Sequence, residues 1–359
     1  MDHKQRIAGL VSGIEERGID GAIITGPENI HYLTGAPFVR GSYGKILFVG
    51  IGGTASLIVS DLDYQEVIGT VDSAEIVKTD FMEKPLDRLK KIVKGTPRLG
   101  FEEDLVSAAL KERISAEFRV EPLRGILERM RERKDPEEIA VIEMAQFIND
   151  RAIEKALGNL KAGMSELEIA AELEYNLRMK GAETFAFETI VASGPRGVYP
   201  HGMPGTRRAS SGDAVVIDFG ARYGGYCSDM TRTLFFGDPS AEVKRAYEAV
   251  KEAQERAVES VKGGVTGRKV DAVARGILEG RDLGKFFVHG LGHGVGIEVH
   301  EFPVVGPSNG SPLAPGNVIT IEPGVYVPGR YGIRIEDLVV VEKDGRRTLT
   351  KFTREMVVI

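Results

Sequence analysis

The sequence contains a single cysteine, Cys227, among 359 residues. One cysteine excludes an internal disulfide framework and suits a reducing compartment, and its expected role is that of a small buried apolar side chain. The first residues are charged from position 2, and no apolar run is long enough to span a bilayer. We therefore expect a cytoplasmic protein that makes no use of a membrane.

Positive charge is not in excess in this sequence. The formal net charge is −6, and the basic cluster at 129–134 alternates with acidic residues. Such alternation is typical of a solvated helix face and lacks the basic patch that nucleic-acid binding requires. The composition, 42% hydrophobic and 28% charged, is that of an ordinary globular protein. We expect no nucleic-acid partner.

A change of pattern near residue 130 predicts two domains. Strands interleaved with helices over about the first 120 residues indicate a compact α/β domain with a mixed sheet. Asp135 followed by Pro136 and two acidic residues is a strong helix-start signal, and it opens the second part of the chain. We predict domains at 1–128 and 129–359, the second of the α+β class.

The second domain contains an internal repeat. Residues 161–165 resemble residues 262–266 at an offset of 101, and each segment enters a predicted helix. Residues 212–218 resemble residues 316–322 at an offset of 104, and each begins a long β segment. We expect two similar halves that form one sheet, with helices on a single face and a cleft near a pseudo-twofold axis.

Four acidic residues and one histidine on these β segments form a candidate metal site: Asp218, Asp229, Glu322, Glu336 and His293. The acids lie in or beside apolar strands, where an unpaired carboxylate is costly to bury, and four that converge on one cleft need positive charge. Two divalent cations supply that charge. An oxygen-rich set with one imidazole suits Mn²⁺ or Co²⁺ and, less selectively, Zn²⁺ or Fe²⁺. The glycines on both sides of His293 suggest that a ligand approaches closely there.

A structural explanation of the same residues is also open. Each acid alone could be a surface residue on an edge strand, because ion-pair networks also trap carboxylates. Their matching positions in the two repeats favour the metal site. Paired metals about 3.5–4 Å apart can share a hydroxide nucleophile and stabilise a tetrahedral oxyanion.

At these residues the sequence resembles the creatinase/methionine aminopeptidase superfamily, whose catalytic domain has the pita-bread fold. The order Asp, Asp, His, Glu, Glu, with spacings of 11, 64, 29 and 14, is similar to the dinuclear ligand set of the Xaa-Pro peptidases. The first domain resembles the creatinase-type N-terminal domain through 29–35, and 133–139 resembles the interdomain helix start. The strongest motifs are 289–293 (HGLGH), 299–301 (VHE), 321–326 (IEPGVY) and 332–336 (GIRIE).

The resemblance implies a role for each candidate ligand. Asp218 would chelate one metal, while Asp229 and Glu336 would bridge both. His293 and Glu322 would complete the other metal. Glu322 would also be the base for the bridging water.

The resemblance also implies residues that contact the substrate. His201 matches a histidine that helps to bind substrate and stabilise the transition state, and His300 matches one that contacts the peptide around the scissile carbonyl. A donor at such positions is useful where oxyanion charge develops. The remaining residues that the resemblance places in the catalytic or substrate-binding set are Arg334, His289, Tyr326, Phe187 and Ile190.

Two peptidase activities and one non-catalytic role are open within the superfamily. Creatinases lack the metals and methionine aminopeptidases usually lack the first domain, which leaves Xaa-Pro dipeptidase (prolidase) and aminopeptidase P. Compact two-domain chains of this length are typical of prokaryotic prolidases, so the resemblance favours a prolidase. It implies a homodimer in which a metal-bridging hydroxide attacks the Xaa-Pro bond of dipeptides or short peptides. Val304 stands where many such prolidases carry an arginine for the substrate carboxylate, and this departure favours the alternative, an aminopeptidase P. Arg40 from a partner copy could replace that arginine. A non-catalytic binding protein with this fold is the third possibility, although such proteins typically lose metal ligands.

Overall fold

The computed structural model of the chain describes residues 1–37, 44–80, 82–95 and 97–359. Arg40 lies outside the described residues. The chain divides into two compact units, Met1–Arg131 and Glu132–Ile359. The predicted domain limit between 128 and 129 falls inside the helix Ile126–Glu132 and stays a prediction. Among the described residues, no helix combines the length and the apolar character that a membrane span requires.

The first unit is built on a six-stranded mixed sheet, as the alternation of strands and helices predicts. In the sheet order β4-β3-β2-β1-β5-β6, β1 pairs antiparallel with β2 and parallel with β5. The strands are β1 (Gly21–Ile24), β2 (Ile46–Gly50), β3 (Ala55–Val59), β4 (Glu75–Lys78), β5 (Arg98–Phe101) and β6 (Arg119–Pro122). The helices are α1 (His3–Glu15), α2 (Pro27–Thr34), α3 (Asp61–Val67), α4 (Pro85–Ile92), α5 (Ala108–Ser115) and α6 (Ile126–Glu132).

The second unit contains four long helices and short sheets. The helices are α7 (Pro136–Ala156), α8 (Glu166–Met179), α9 (Ala241–Ser260) and α10 (Gly267–Glu279). The strands of its first half, with the C-terminal strand, are β7 (Thr184–Phe185), β8 (Ile190–Ser193), β9 (Asp213–Phe219), β10 (Ala221–Tyr223), β11 (Tyr226–Cys227), β12 (Met230–Phe236) and β20 (Val357–Val358). The strands of its second half are β13 (Gly292–Gly294), β14 (Glu301–Val305), β15 (Val318–Ile321), β16 (Gly324–Val327), β17 (Tyr331–Arg334), β18 (Asp337–Val341) and β19 (Arg346–Thr348).

The predicted repeat is present in the backbone. Ser165 caps α8 and Thr266 caps α10, each by accepting a hydrogen bond from the backbone N–H three residues later. Gly163 and Gly264 have φ values of 89° and 85°, which favour glycine, and their N–H groups donate to equivalent carbonyls at 2.8 Å. The two halves therefore share a helix entry that the similarity of 161–165 and 262–266 encodes.

The two halves do not form the single continuous sheet that we expected. One sheet has the order β20-β12-β9-β8 and the other the order β14-β13-β15-β18-β19. They meet where the N–H of Glu336 donates to the carbonyl of Thr231 at 3.1 Å. Helices α7 and α8 pack on the first sheet and α9 and α10 on the second, so each half has its own apolar core.

Candidate active site

A pocket of about 570 Å³ lies in the second unit. Its walls contain eleven of the twelve residues that the sequence predicts for the site, and Tyr326 is the exception. The eleven are Phe187, Ile190, His201, Asp218, Asp229, His289, His293, His300, Glu322, Arg334 and Glu336.

The acidic residues reach the pocket from the ends of strands in both halves. Asp218 is near the end of β9, opposite Thr231 of β12 in the register of that pair. Asp229 directly precedes β12, Glu322 directly follows β15, and Glu336 stands between β17 and β18. These strands occupy matching places in the repeat, and carboxylates from both halves therefore line the same pocket.

The glycines beside His293 admit neighbouring strands, and this differs from our expectation of a closely approaching ligand. A Cβ atom at Gly292 would meet the carbonyl oxygen of Thr320, and one at Gly294 would meet that of Phe302. The short strand β13 is therefore held between β14 and β15, and only residues without a side chain fit on either side of the histidine.

Asp229, His293 and Glu336 form a compact group, in which one ligand atom from each lies within 4.8 Å of the other two. Nε2 of His293 is 3.6 Å from Oδ2 of Asp229 and 3.3 Å from Oε1 of Glu322. Nδ1–H of His293 donates to the carbonyl of Gly294 at 3.0 Å. That hydrogen bond fixes the ring so that Nε2 faces the carboxylates.

Burial governs the ionisation of the four acids. It is the largest cause that holds the pKa values of Asp229 and Glu336 well above their ordinary range, and neighbouring carboxylates add to it. Burial also raises the pKa of Asp218. For Glu322 burial acts against ionisation, but the hydrogen bond and charge of His293 outweigh it and lower the pKa to about 2. Three of the four acids thus resist ionisation when no cation is near, and such a set favours binding of a cation.

The Arg334 guanidinium, 3% exposed, links the acids to the pocket wall. It donates from Nη2 to Oδ2 of Asp218 at 2.6 Å, from Nε to Oγ1 of Thr231 at 2.9 Å and from Nη1 to the carbonyl of Pro200 at 3.1 Å. Thr231 in turn donates to Oε2 of Glu336 at 2.7 Å. Arg334 thus orients two of the acids, and each of its three guanidinium nitrogens is hydrogen-bonded within the protein.

His289 and Tyr326 form a fixed pair in the wall. Nδ1–H of His289 donates to the carbonyl of Gly290 at 2.7 Å, so Nε2 is an acceptor and the Tyr326 hydroxyl, 2.9 Å away, donates to it. The same hydroxyl accepts from Nη1 of Arg334 at 2.8 Å. Burial lowers the pKa of His289, which keeps the ring neutral. Tyr326 does not line the pocket and therefore influences it through its hydrogen bonds to His289 and Arg334. Both ring nitrogens of His289 are hydrogen-bonded within the protein.

His201 and His300 are the exposed histidines of the pocket. The His300 ring lies 4.2 Å from the ring of His293, measured between centroids. Burial and the charge of His293 lower the pKa of His300. Two histidines at the mouth of an acidic pocket are able to donate hydrogen bonds to a bound peptide.

Two threonines belong to the site although the sequence reasoning missed them. Thr231 bonds Glu336, and Thr320 donates to Oε1 of Glu322 at 3.1 Å and accepts from the N–H of His293 at 3.0 Å. A signal for both was available. Each is two residues away from a predicted ligand, Asp229 or Glu322, and alternate residues of an extended chain point to the same side.

The residues present fit divalent metal ions. Oδ1 of Asp218 and Oδ1 of Asp229 are buried and have no hydrogen-bond partner among the described residues. Buried polar atoms are normally bonded, so each such oxygen marks a place where a ligand to it belongs. Carboxylates with a single imidazole are also donors that divalent cations accept.

Comparison with known proteins agrees with this chemistry. Residues 140–343 match the model of "Metallopeptidase family M24", and residues 6–133 match "Creatinase/Prolidase N-terminal domain". The chain is 40% identical to an Xaa-Pro dipeptidase of Pyrococcus furiosus, over 98% of this chain and 99% of that protein.

Solved structures resemble the whole chain as well. An Xaa-Pro dipeptidase from Bacillus anthracis has a TM-score of 0.94 at 34% identity, and an X-Pro aminopeptidase from Thermotoga maritima has a TM-score of 0.90 at 39% identity; both comparisons cover 100% of each chain. The chain therefore belongs to metallopeptidase family M24, carries that family's creatinase/prolidase N-terminal domain, and is a metal-dependent peptide hydrolase.

Proposed function

We propose that the protein is an Xaa-Pro dipeptidase that works with two divalent metal ions. The observation that carries the proposal is the convergence of four acids and His293 in one pocket of a chain whose full-length relatives include Xaa-Pro dipeptidases. An Xaa-Pro bond lacks an N–H and has a fixed φ, so peptidases that grip an extended chain handle it poorly. A dedicated site therefore needs another way to activate the bond.

The proposed ligands are those of the acidic cluster. Asp218 would hold a metal ion through Oδ1, the oxygen that Arg334 leaves free, and Asp229 and Glu336 would contribute carboxylate oxygens to the same site. His293, through Nε2, and Glu322 would complete the ligand set. When bound, the ions would activate water and polarise the scissile carbonyl. Manganese or cobalt suits this donor set best, and their identity stays a prediction.

The chain's own residues supply the proton transfer, the hydrogen bonds to the substrate and the orientation of the acids. We assign to Glu322 the uptake of a proton from the attacking water, since this carboxylate lies 3.3 Å from Nε2 of His293 within the proposed ligand set and stays ionised. His201 and His300 donate hydrogen bonds to the carbonyl oxygen as negative charge develops on it. Arg334 keeps Asp218 and Glu336 in place through Thr231 and its own N–H groups.

The pocket wall supports an apolar substrate. Phe187, Ile190, Met203, Val288 and Val304 line it together with the histidines. We propose that Phe187 and Ile190 contact the substrate residue before proline. The hydrogen-bonded pair of His289 and Tyr326 maintains the shape of the pocket wall. A ring held among such side chains loses little freedom, because proline is already rigid.

A second candidate function, that of an aminopeptidase P, rests on a specific observation. Arg334 is the sole arginine or lysine among the described residues that line the pocket, and each of its three guanidinium nitrogens already bonds the protein. Position 304, where an arginine would bind the C-terminal carboxylate of a dipeptide, is a valine with its side chain partly exposed. Because a valine offers no charged partner to a terminal carboxylate, the site would not favour a dipeptide, and a longer peptide would fit as well.

Hydrolysis by reloaded enzyme tests both functions. Metal-stripped protein is given Mn²⁺ or Co²⁺ and then Leu-Pro, Leu-Pro-Gly or Leu-Gly-Gly, with Asp229→Asn as the blank. Cleavage of Leu-Pro alone supports the dipeptidase, and faster cleavage of Leu-Pro-Gly supports the aminopeptidase. In the second case Val304→Arg should raise the relative rate on Leu-Pro. If neither peptide is cut while two metals are bound, the Xaa-Pro proposal is wrong.

The non-catalytic alternative is tested by metal content. An enzyme of the proposed kind takes up two equivalents of metal per chain, and a binding protein with this fold takes up none under repletion. Homodimer formation and a cytoplasmic location stay predictions. Sedimentation of the purified protein at micromolar concentration measures the first of them.

A further inference from the structure

Lys134 and Glu301 form a buried ion pair beside the pocket, 167 positions apart in sequence. Nζ of Lys134 lies 2.7 Å from Oε2 of Glu301, and the two side chains are 1% and 5% exposed. Neither residue belongs to the acidic cluster described above. Glu301 nevertheless directly follows His300 in the chain.

Stability alone does not explain such a pair. Removing two charges from water carries a large desolvation cost, and apolar side chains of similar volume often serve the fold equally well or better. An ion pair does differ from an apolar pair in one respect, because it fixes the position of both partners through directed hydrogen bonds. The contacts of Glu301 identify the part of the molecule that this pair fixes.

The turn at 295–300 is folded around the Glu301 carboxylate. Oε1 of Glu301 accepts a hydrogen bond from the N–H of Glu298 at 3.0 Å, while Oε2 accepts from Lys134. A Cβ atom at Gly296 would meet the same carboxylate, so this glycine lets the turn close on it. The N–H of Gly296 bonds the carbonyl of Glu298 at 3.0 Å. One oxygen of Glu301 therefore holds the turn, and the other connects it to Lys134.

His300 depends on that turn for its place. Its side chain is exposed, and among the described residues its ring has a contact with the His293 ring but no hydrogen-bond partner. The direction of the imidazole is thus set by the backbone at 298–301 and by the contact with the His293 ring, to which it is tilted by 50°. A shift of the Glu301 carboxylate moves the residue that carries the ring.

Lys134 is a rigid partner for this purpose. Its N–H donates to the carbonyl of Gly316 at 2.8 Å, and the next residue, Asp135, caps α7 in a reciprocal capping box with Glu138. The start of a capped helix of 21 residues is a firm point in the fold. The ammonium group therefore connects the start of α7 with the turn that presents His300.

We propose that Lys134 and Glu301 are positioning residues, whose buried ion pair holds the 295–300 turn so that His300 points at the substrate. The role given to His300 rests on the proposed function. The positioning of the turn does not, since it follows from the contacts of the free protein.

Hydrogen exchange tests the positioning without any substrate. Lys134→Met keeps the length of the side chain and removes the charge, and Lys134→Arg keeps the charge. We expect amide exchange in a peptide covering 295–301 to be at least tenfold faster in Lys134→Met, with that of β9 unchanged, and Lys134→Arg to restore most of the protection. Equal exchange in Lys134→Met and the unchanged protein would overturn the proposal.

Kinetics test whether the effect reaches catalysis through His300. In metal-loaded protein acting on Leu-Pro, Lys134→Met should lower kcat about tenfold or more while KM changes less than threefold. In a His300→Ala background the same substitution should lower kcat less than twofold, because the ring that it positions is already absent. Full additivity of the two substitutions would show that Lys134 acts by another route and would overturn this part.

Two further variants separate positioning from loss of fold. Glu301→Gln keeps an oxygen for the Glu298 N–H and removes the charge, so it should give the same pattern if Lys134→Met does not fold. Leu173→Ala opens a cavity in the α7–α8 core at a residue that does not line the pocket, and it serves as a control for a general loss of stability. It should leave kcat and the exchange of 295–301 unchanged. If the unchanged protein cuts no Xaa-Pro peptide, the proposed function fails, and the exchange result still decides the positioning.

Discussion

Replacing Asp229 by asparagine should stabilise the metal-free protein while it abolishes the stabilisation by metal. Asp229 is buried with Glu336, Asp218 and Glu322 as carboxylate neighbours. In the absence of metal these groups repel one another, and one oxygen of Asp229 has no hydrogen-bond partner among the described residues. Asparagine has nearly the same shape, so the substitution removes charge without opening a cavity.

The size of the effect follows from the geometry. Ligand oxygens of Asp229 and Glu336 lie within 4.8 Å of each other, and like charges at that distance repel by about 3.5 kcal/mol at an effective dielectric constant of about 20. The raised pKa of Asp229 means that proton uptake relieves part of this repulsion. We therefore expect a gain of about 1–3 kcal/mol in the free energy of unfolding near pH 8.

Urea unfolding with and without Mn²⁺ measures both effects. In the unchanged protein, free metal at 100 times its dissociation constant should add about 2.7 kcal/mol for each site. Asp229→Asn should show no such increase and should start from the higher metal-free value. Glu188→Gln is the matched control, because it removes a carboxylate from the same pocket outside the cluster. A less stable metal-free Asp229→Asn, or an unchanged response to metal, would refute the assignment.

Three other predictions follow from the described side chains. Glu188 is exposed in the pocket wall, so Glu188→Gln should lower kcat/KM for Lys-Pro about threefold relative to Leu-Pro, as measured by proline release. Burial raises the pKa of Glu102, so the folded protein binds that proton more tightly, and the contribution of this group to stability falls as the pH rises above about 4.3. Glu102→Gln should flatten this slope in urea unfolding series at several pH values. Leu173→Ala should cost about 2–5 kcal/mol of unfolding free energy without a change in kcat.

The sequence was informative where local patterns repeat or obey simple chemistry. The similarity of 161–165 to 262–266 predicted two equivalent helix entries, and the structure has both with the same caps. Asp135 followed by Pro136 predicted the start of α7, which begins with a complete capping box. The candidate ligands stood out because an acid beside an apolar strand has few explanations. Family membership in M24 is confirmed by the comparisons.

Contacts between distant segments could not be predicted from the sequence. No local pattern indicates α3 and β6 of the first unit, since each is short and largely polar. The glycines beside His293 were correctly singled out, but their cause is the close passage of β14 and β15, which no local pattern encodes. The pairing of Lys134 with Glu301 spans 167 positions and is likewise invisible in the chain.

This difference between local patterns and contacts of distant segments explains why the metal chemistry is easier to predict from the sequence than the substrate. A cluster of buried acids has to be neutralised wherever it occurs, so its residue types alone indicate a cation. Substrate selection depends on the shape of a wall whose side chains, among them Phe187, Val288 and Val304, come from separate segments. We therefore expect a substitution at a single such position to change the preferred peptide without any change in the acids. On the proposed function, the metal site would define the reaction and the wall would decide between a dipeptide and a longer peptide.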